Sequence, residues 1–244
     1  MTYCLALRLD DGLVFLSDTR TNAGVDNIST YRKLHVLRPG PDRLFVIQSA
    51  GSLATTQQVL DQLALELASV EPTPLRDARA LHEVALHIGQ LSVAVADEHR
   101  AALQAVGADA TASLIVGGQI GDAPPDVLLV YPEGNYIRAS DEKPFLQIGE
   151  SKYGKHQLDI AVHPSVDLET ATKIALSSMI STARANLSVG PPYDLAIYRP
   201  GSFDVDEARL DEQSPYLGEI LEIWHRIVLE AIAELPPVPD DAFN

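Results

Sequence analysis

Apolar and polar residues begin to alternate at the second residue of the chain, in MTYCLALRLDDGLVFLSDTR. Period-two patterning over residues 3–9 and again over 13–17 predicts two strands, and the Asp-Gly step between them is a hairpin signal. A third strand is predicted at 33–37, and RPGPDR turns the chain into a fourth at 44–48. After SAGS the period changes. Residues 53–70 place apolar side chains at helical spacing, and Pro72 and Pro74 close that run. A second helical stretch covers about 75–105 and ends near Gly107. Strands return in TASLIVGGQI, PDVLLVYPEGNYIRAS and PFLQIG, with PEGN turning the chain between Tyr131 and Tyr136. Residues 167–187 read as a helix with Asp167 as its N-cap, and PYDLAIYRP as a last strand. A final amphipathic helix is predicted at 212–235, where Leu221, Ile223, Trp224 and Ile227 form an apolar stripe suited to the core or to a subunit contact.

Hairpins separated by helices argue for antiparallel sheets under outer helical layers, an α+β sandwich rather than a βαβ design. Without an internal linker or repeat, residues 1–235 read as one domain, and the polar, proline-rich 236–244 as a loose tail. No stretch approaches the roughly 20 apolar residues that span a bilayer, and no basic-then-apolar leader precedes the first strand, so neither membrane nor export is expected. The single Cys4 allows no internal disulfide and suits a reducing cytoplasm. A net charge of −16 repels a phosphate backbone, which argues against nucleic acid as a partner.

Three tempting motifs fail on geometry. In HEVALH, His82 and His87 stand at i and i+5, about 140° apart on a helix of 3.6 residues per turn, so they do not share a zinc-binding face. GGQIG is followed by DAPPD instead of the helix N-terminus that a phosphate cradle needs. No Gly-x-Ser-x-Gly elbow exists, and a lone cysteine inside a strand pattern reads as packing. No cofactor or metal is expected.

The candidate chemistry lies at the start. Threonine at position 2 permits removal of Met1 by methionine aminopeptidase. Thr2 would then carry a hydroxyl nucleophile and an α-amine whose reference pKa near 8 lets it accept a proton. The predicted hairpin returns Asp18 beside it, the third strand brings Arg32 and Lys33, and Gly51 follows an apolar strand, where a bare backbone N–H can approach a ligand. A cation near hydroxyl and amine lowers both pKa values, a carboxylate beside the cation orients it, and the glycine N–H is a candidate oxyanion donor.

On these residues the sequence resembles the proteasome β-subunit superfamily of N-terminal-nucleophile hydrolases, and within it the bacterial branch known as Anbu, the ancestral β-subunits. The resemblance is carried by Thr2, by SDTRTNAG with Asp18, Arg20 and Gly24, by TYRKLH with Lys33, and by SAG with Gly51. GGQIGDAPPDVLLVYPEGNYIRAS, FLQIGESKYGK and ANLSVGPPYDL extend it along nearly the whole chain. It implies a four-layer αββα sandwich, self-assembly into a ring or spiral, and a peptide or other amide as substrate. It also implies Thr2 as nucleophile and base, Lys33 tuning both, Asp18 holding Lys33, Gly51 donating to the oxyanion and Arg20 supporting the intervening loop. Two segments depart from the family. Gly149-Glu150-Ser151 stands where a Gly-Ser-Gly places a serine beside the amine, a role that falls to Ser151 here. Asn186-Leu187-Ser188-Val189-Gly190 stands for Asp-Ser-x-Ser-Gly, making Asn186 and Ser188 the counterparts of its acid and serine. The alternative to a hydrolase is a non-catalytic assembly scaffold of the same shape.

Overall fold

A computed structural model of the protein describes residues 1–22 and 28–239; Gly24 and residues 240–244 of the expected tail lie outside the described residues. Strand β6 (Arg43–Gly51) shows why the chain stacks in layers. Its Leu44, Val46 and Ala50 enter one apolar cluster, while Phe45 and Ile47, on the opposite face, enter another. Both faces of the strand are therefore covered.

The first cluster lies between two five-stranded antiparallel sheets. One runs β10 (Phe145–Gly149), β1 (Tyr3–Leu9), β2 (Gly12–Asp18), β11 (Tyr193–Tyr198), β12 (Val205–Leu210). The other runs β5 (Leu34–Gly40), β6, β7 (Ala112–Ile120), β8 (Asp126–Val130), β9 (Tyr136–Arg138). Cys4, Ala6, Leu13, Phe15, Ile148 and Ala196 of the first sheet meet Leu34, Leu44, Val46, Ile115 and Val127 of the second. The second cluster buries Val59 and Leu63 of α1 (Leu53–Ala68) and Val84, Ala85 and Ile88 of α3 (Leu81–Ala105) on the outer face of β6, β7 and β8. Helix α5 (Leu168–Ala185) covers β1 and β2 from the other side, with the short α4 (Lys155–Ala161) beside it. The result is the expected four-layer αββα sandwich.

The helical stretch expected at 75–105 is two helices, α2 (Pro74–Asp77) and α3, separated by residues 78–80, where Ala78 leaves helical geometry and Ala80 is extended. Arg43 Nη1 holds the Ala78 carbonyl at 3.0 Å, a tertiary anchor at the break. A small hairpin, β3 (Arg20–Asn22) with β4 (Ile28–Thr30), lies between the sheets in sequence and was not expected. The units divide at residue 211: Met1–Leu210 forms one body, and a second unit from Asp211 holds α6 (Pro215–Ala233), preceded by Ser214 and begun by a proline. No helix of the described residues is long and apolar enough to cross a membrane.

Candidate active site

Strand register brings the predicted residues to one end of the sandwich. Tyr3 faces Gly149 and Cys4 faces Ser17, so Thr2, Asp18 and the end of β10 meet where β1 begins. Asp18 itself faces Tyr193. In the other sheet Gly51 pairs with Ala112, and the Lys33 carbonyl, just ahead of β5, accepts the Ser49 N–H at 3.1 Å. A cavity of about 520 Å³ opens there, lined among others by Met1, Thr2, Thr21, Lys33, Gly51 and Glu150.

Lys33 and Asp18 form a buried ion pair. Their side chains are 5% and 0% exposed, and Nζ lies 2.8 Å from Oδ1. Lys33 spends a second proton on the Arg20 carbonyl at 2.7 Å, which orients the ammonium. Asp18 also accepts the Tyr3 N–H at 2.9 Å and the Gly190 N–H at 3.4 Å. Burial pushes the Asp18 carboxyl above its ordinary value, while Lys33 and these donors pull against it. The same carboxylate thus fixes both the lysine and the peptide that follows Thr2.

Two glycines allow the close approaches. Gly149 has φ +82°, and a Cβ on it would lie 2.0 Å from the Thr2 carbonyl oxygen. That carbonyl accepts the Glu150 N–H at 2.7 Å, so the start of β1 is held from the β10 side. Gly51 has φ +111°, and a Cβ there would meet the Thr111 carbonyl at 2.5 Å. Directly after it Ser52 caps α1, accepting the Thr55 N–H at 3.3 Å.

A second arc runs behind the cavity. Asn186, the C-cap of α5, donates Nδ2 to Glu150 Oε2 at 2.9 Å and accepts the Ser188 N–H at 3.0 Å. Glu150 is buried, and its other oxygen lies 3.9 Å from Lys152 Nζ. Thr2, Lys33 and Gly51 share the cavity wall, Asp18 stands behind Lys33, and Asn186 reaches the wall through Glu150. Ser151 is half-buried beside that wall, its N–H donated to the Gly149 carbonyl at 3.0 Å. Ser188 joins through its backbone, and Arg20 Nη1 ties the Leu187 carbonyl at 2.9 Å. Glu150, Lys152 and Thr21 are wall residues that the sequence reading did not single out. The signal for Glu150 was its place between two residues already quoted, Gly149 and Ser151.

Next to the site, burial pushes the Tyr3 phenol up to about 12, with its hydroxyl 2.7 Å from Ser178 Oγ, and pushes the Cys4 thiol up as well. Cys4 Sγ donates to the Ser49 carbonyl at 3.7 Å. The histidines of HEVALH are occupied separately: His87 Nε2 lies 2.6 Å from Glu66 Oε1, and the His82 ring stacks at a tilt on Tyr136.

The family model described as proteasome subunit matches residues 2–197. Among solved structures, Anbu from Yersinia bercovieri is similar with a TM-score of 0.89 and 40% identity, over 98% of this chain and 100% of that one. The helical assembly of the Anbu complex from Pseudomonas aeruginosa gives 0.92 and 39%, over 100% of both chains. Anbu from Hyphomicrobium sp. strain MC1 gives 0.87 and 40%, over 98% and 100%. No curated protein matches the chain.

Proposed function

Because the chain belongs to the proteasome subunit family and stands there with the Anbu proteins, we propose that it is a threonine-type amide hydrolase, a peptidase, whose nucleophile is Thr2 after loss of Met1. The observation that carries this reading is the shared cavity. Thr2 opens onto the same space as the Lys33 ammonium, which a fully buried Asp18 holds in place. Met1 is 62% exposed and lines that cavity, so it is open to an aminopeptidase.

In this mechanism the freed α-amine of Thr2 takes the hydroxyl proton as Oγ attacks the substrate carbonyl. Lys33 favours the alkoxide electrostatically, and Asp18 keeps the lysine aimed. The Gly51 N–H supports the oxyanion, a contribution typically worth about 10²–10³ in rate. The amine hands its proton to the leaving nitrogen, the C–N bond breaks, and an ester to Thr2 remains. Water, deprotonated by the same amine, cleaves the ester and restores the hydroxyl. Glu150 and Gly149 hold the threonine carbonyl through this cycle.

The proposal includes self-assembly into a ring or spiral, working in the cytoplasm. A relative of 39% identity over its whole length forms a helical assembly. Helix α6 also leaves Leu221, Ile227, Leu229 and Ile232 each more than 40% exposed, more apolar surface than a lone helix usually shows water. The deciding experiment is intact mass with and without a peptide epoxyketone, a probe that closes its ring only on a hydroxyl and a free amine of one residue. Loss of Met1 with one adduct per chain, absent in Thr2→Ala, is expected. Retained Met1, or hydrolysis unchanged in Thr2→Ala, would favour the scaffold.

A further inference from the structure

The far end of the sandwich from Thr2 holds a second cavity, of about 360 Å³. Strand β7 marks the two ends: Ala112 pairs with Gly51 near the candidate active site, and Ile120 pairs with Arg43 at the opposite end. Three guanidinium groups line this distal cavity. Arg8 is the next-to-last residue of β1, Arg79 comes from just ahead of α3, and Arg138 from the end of β9. Asp126, the first residue of β8, is the single carboxylate in the same wall. Three arginines face one carboxylate in the lining, and a second carboxylate, Asp141, pairs with Arg8 from outside it, so Arg79 is left as the cation without a carboxylate on its guanidinium, in a chain whose net charge is −16.

The arginines are incompletely used. Arg138 is paired with Asp126, whose other oxygen accepts the Val127 N–H at 2.8 Å. Arg8 reaches Asp141, a carboxylate 81% exposed and therefore screened by solvent, and its Nε is buried with no acceptor. The Arg79 guanidinium has no hydrogen-bond partner among the described residues; only its backbone N–H is taken, by Glu83 at 2.8 Å. The wall also includes Ala80 and Leu81, the start of the 25-residue α3, whose first-turn Glu83 accepts the Arg79 N–H.

We propose that this distal cavity binds a phosphate group, either as the free ion or on a small molecule, through Arg8, Arg79 and Arg138. A phosphate carries about −1.5 to −2 at neutral pH, which complements the Arg79 guanidinium left without a carboxylate. Planar guanidinium forks match its oxygens bidentately. The volume falls at the lower end of the roughly 300–1,000 Å³ typical of small-ligand sites. Pro124 and Pro125 on one side give the site a wall that loses little entropy on binding.

The test is isothermal titration of the full-length protein with inorganic phosphate and with glycerol 3-phosphate, at constant ionic strength set by sodium chloride. Saturable binding of one equivalent per chain is expected, weakened at least tenfold in Arg79→Ala. Equal affinity for the two probes identifies free phosphate as sufficient; tighter binding of the ester identifies a phosphorylated metabolite. Ala123→Glu keeps every arginine and places a carboxylate in the exposed part of the wall, and it is expected to abolish binding without touching the fold. No saturable heat with either probe, or affinity unchanged in both variants, overturns the proposal. Neither variant touches the Thr2 cavity, so epoxyketone labelling is expected to be unaffected.

Discussion

Asp18 is the residue on which the candidate site turns, because one buried carboxylate holds a lysine, a strand N–H and a loop N–H at once. Such a pair is asymmetric in its energetics. Removing one partner strands the other in a low-dielectric interior, whereas removing both leaves only packing to repair. Lys33→Met alone is expected to cost about 3–5 kcal/mol, the range for an orphaned buried charge. Adding Asp18→Asn is expected to return most of that stability in urea unfolding. Turnover stays depressed at least ~10²-fold, the low end for lost acid–base assistance. A double variant hydrolysing at the parent rate would reduce Lys33 to a structural residue. Tyr3, one position from the proposed nucleophile, gives a pH test. Its phenol is pushed from 10.0 to about 12, so above pH 10 the unfolded chain releases a proton that the folded one keeps. Stability contributed by this group therefore falls as pH rises from about 10 to about 12. Tyr3→Phe is expected to flatten the alkaline limb of a denaturation series, and an unaltered slope would show that the phenol is not the titrating group.

At the scale of elements, the site depends on strand ends more than on strands. Thr2, Asp18, Gly149 and Gly51 each sit at or beside a terminus, and register alone aligns them. Helix α1 starts immediately after Gly51, so its cap helps to fix the glycine's backbone. Ser52→Ala is expected to cost about 1 kcal/mol, the usual value of a lost N-cap, read from the urea midpoint. A loss confined to stability would separate the cap from the chemistry. Most of these elements could be read from alternation and turn residues: the β1–β2 hairpin, β6, α1 and α5 with its Asp167 cap, which accepts the Thr170 N–H at 2.9 Å. What could not be read was tertiary in origin. The seven-residue α4 is too short to stand alone and is tied to α5 by Gln157 donating to Ser181 at 2.7 Å. Strand β12, VDEARL, lacks an apolar alternation because it is an edge strand with charged side chains, a pattern that hides it while protecting the sheet from further pairing. The same limit applied to the site. Thr2, Lys33 and Gly51 carry chemical signatures, while Glu150 was marked only by its place between Gly149 and Ser151, and its bond to Asn186, 36 residues on, is tertiary.

The molecule as a whole carries two opposed electrostatic features, an acidic balance of −16 and a basic cavity at one end of the sandwich. The acidity keeps separate copies repelled over a Debye length, about 8 Å at physiological salt, so any self-assembly has to be driven at short range by apolar contact. Helix α6 offers such a surface. Leu229 is 57% exposed and Ile232 59%, and three positions apart they share a face of the helix. The proposed assembly makes a specific demand on that pair. Leu229→Glu with Ile232→Glu adds two charges at exposed positions of α6. The circular dichroism spectrum is therefore expected to hold. Sedimentation is expected to shift from a multimer to a smaller species, with raised salt failing to restore it because the lost contact is apolar. A multimer of unchanged size would place the contact elsewhere than on α6, and a species already monomeric before substitution would remove self-assembly from the account.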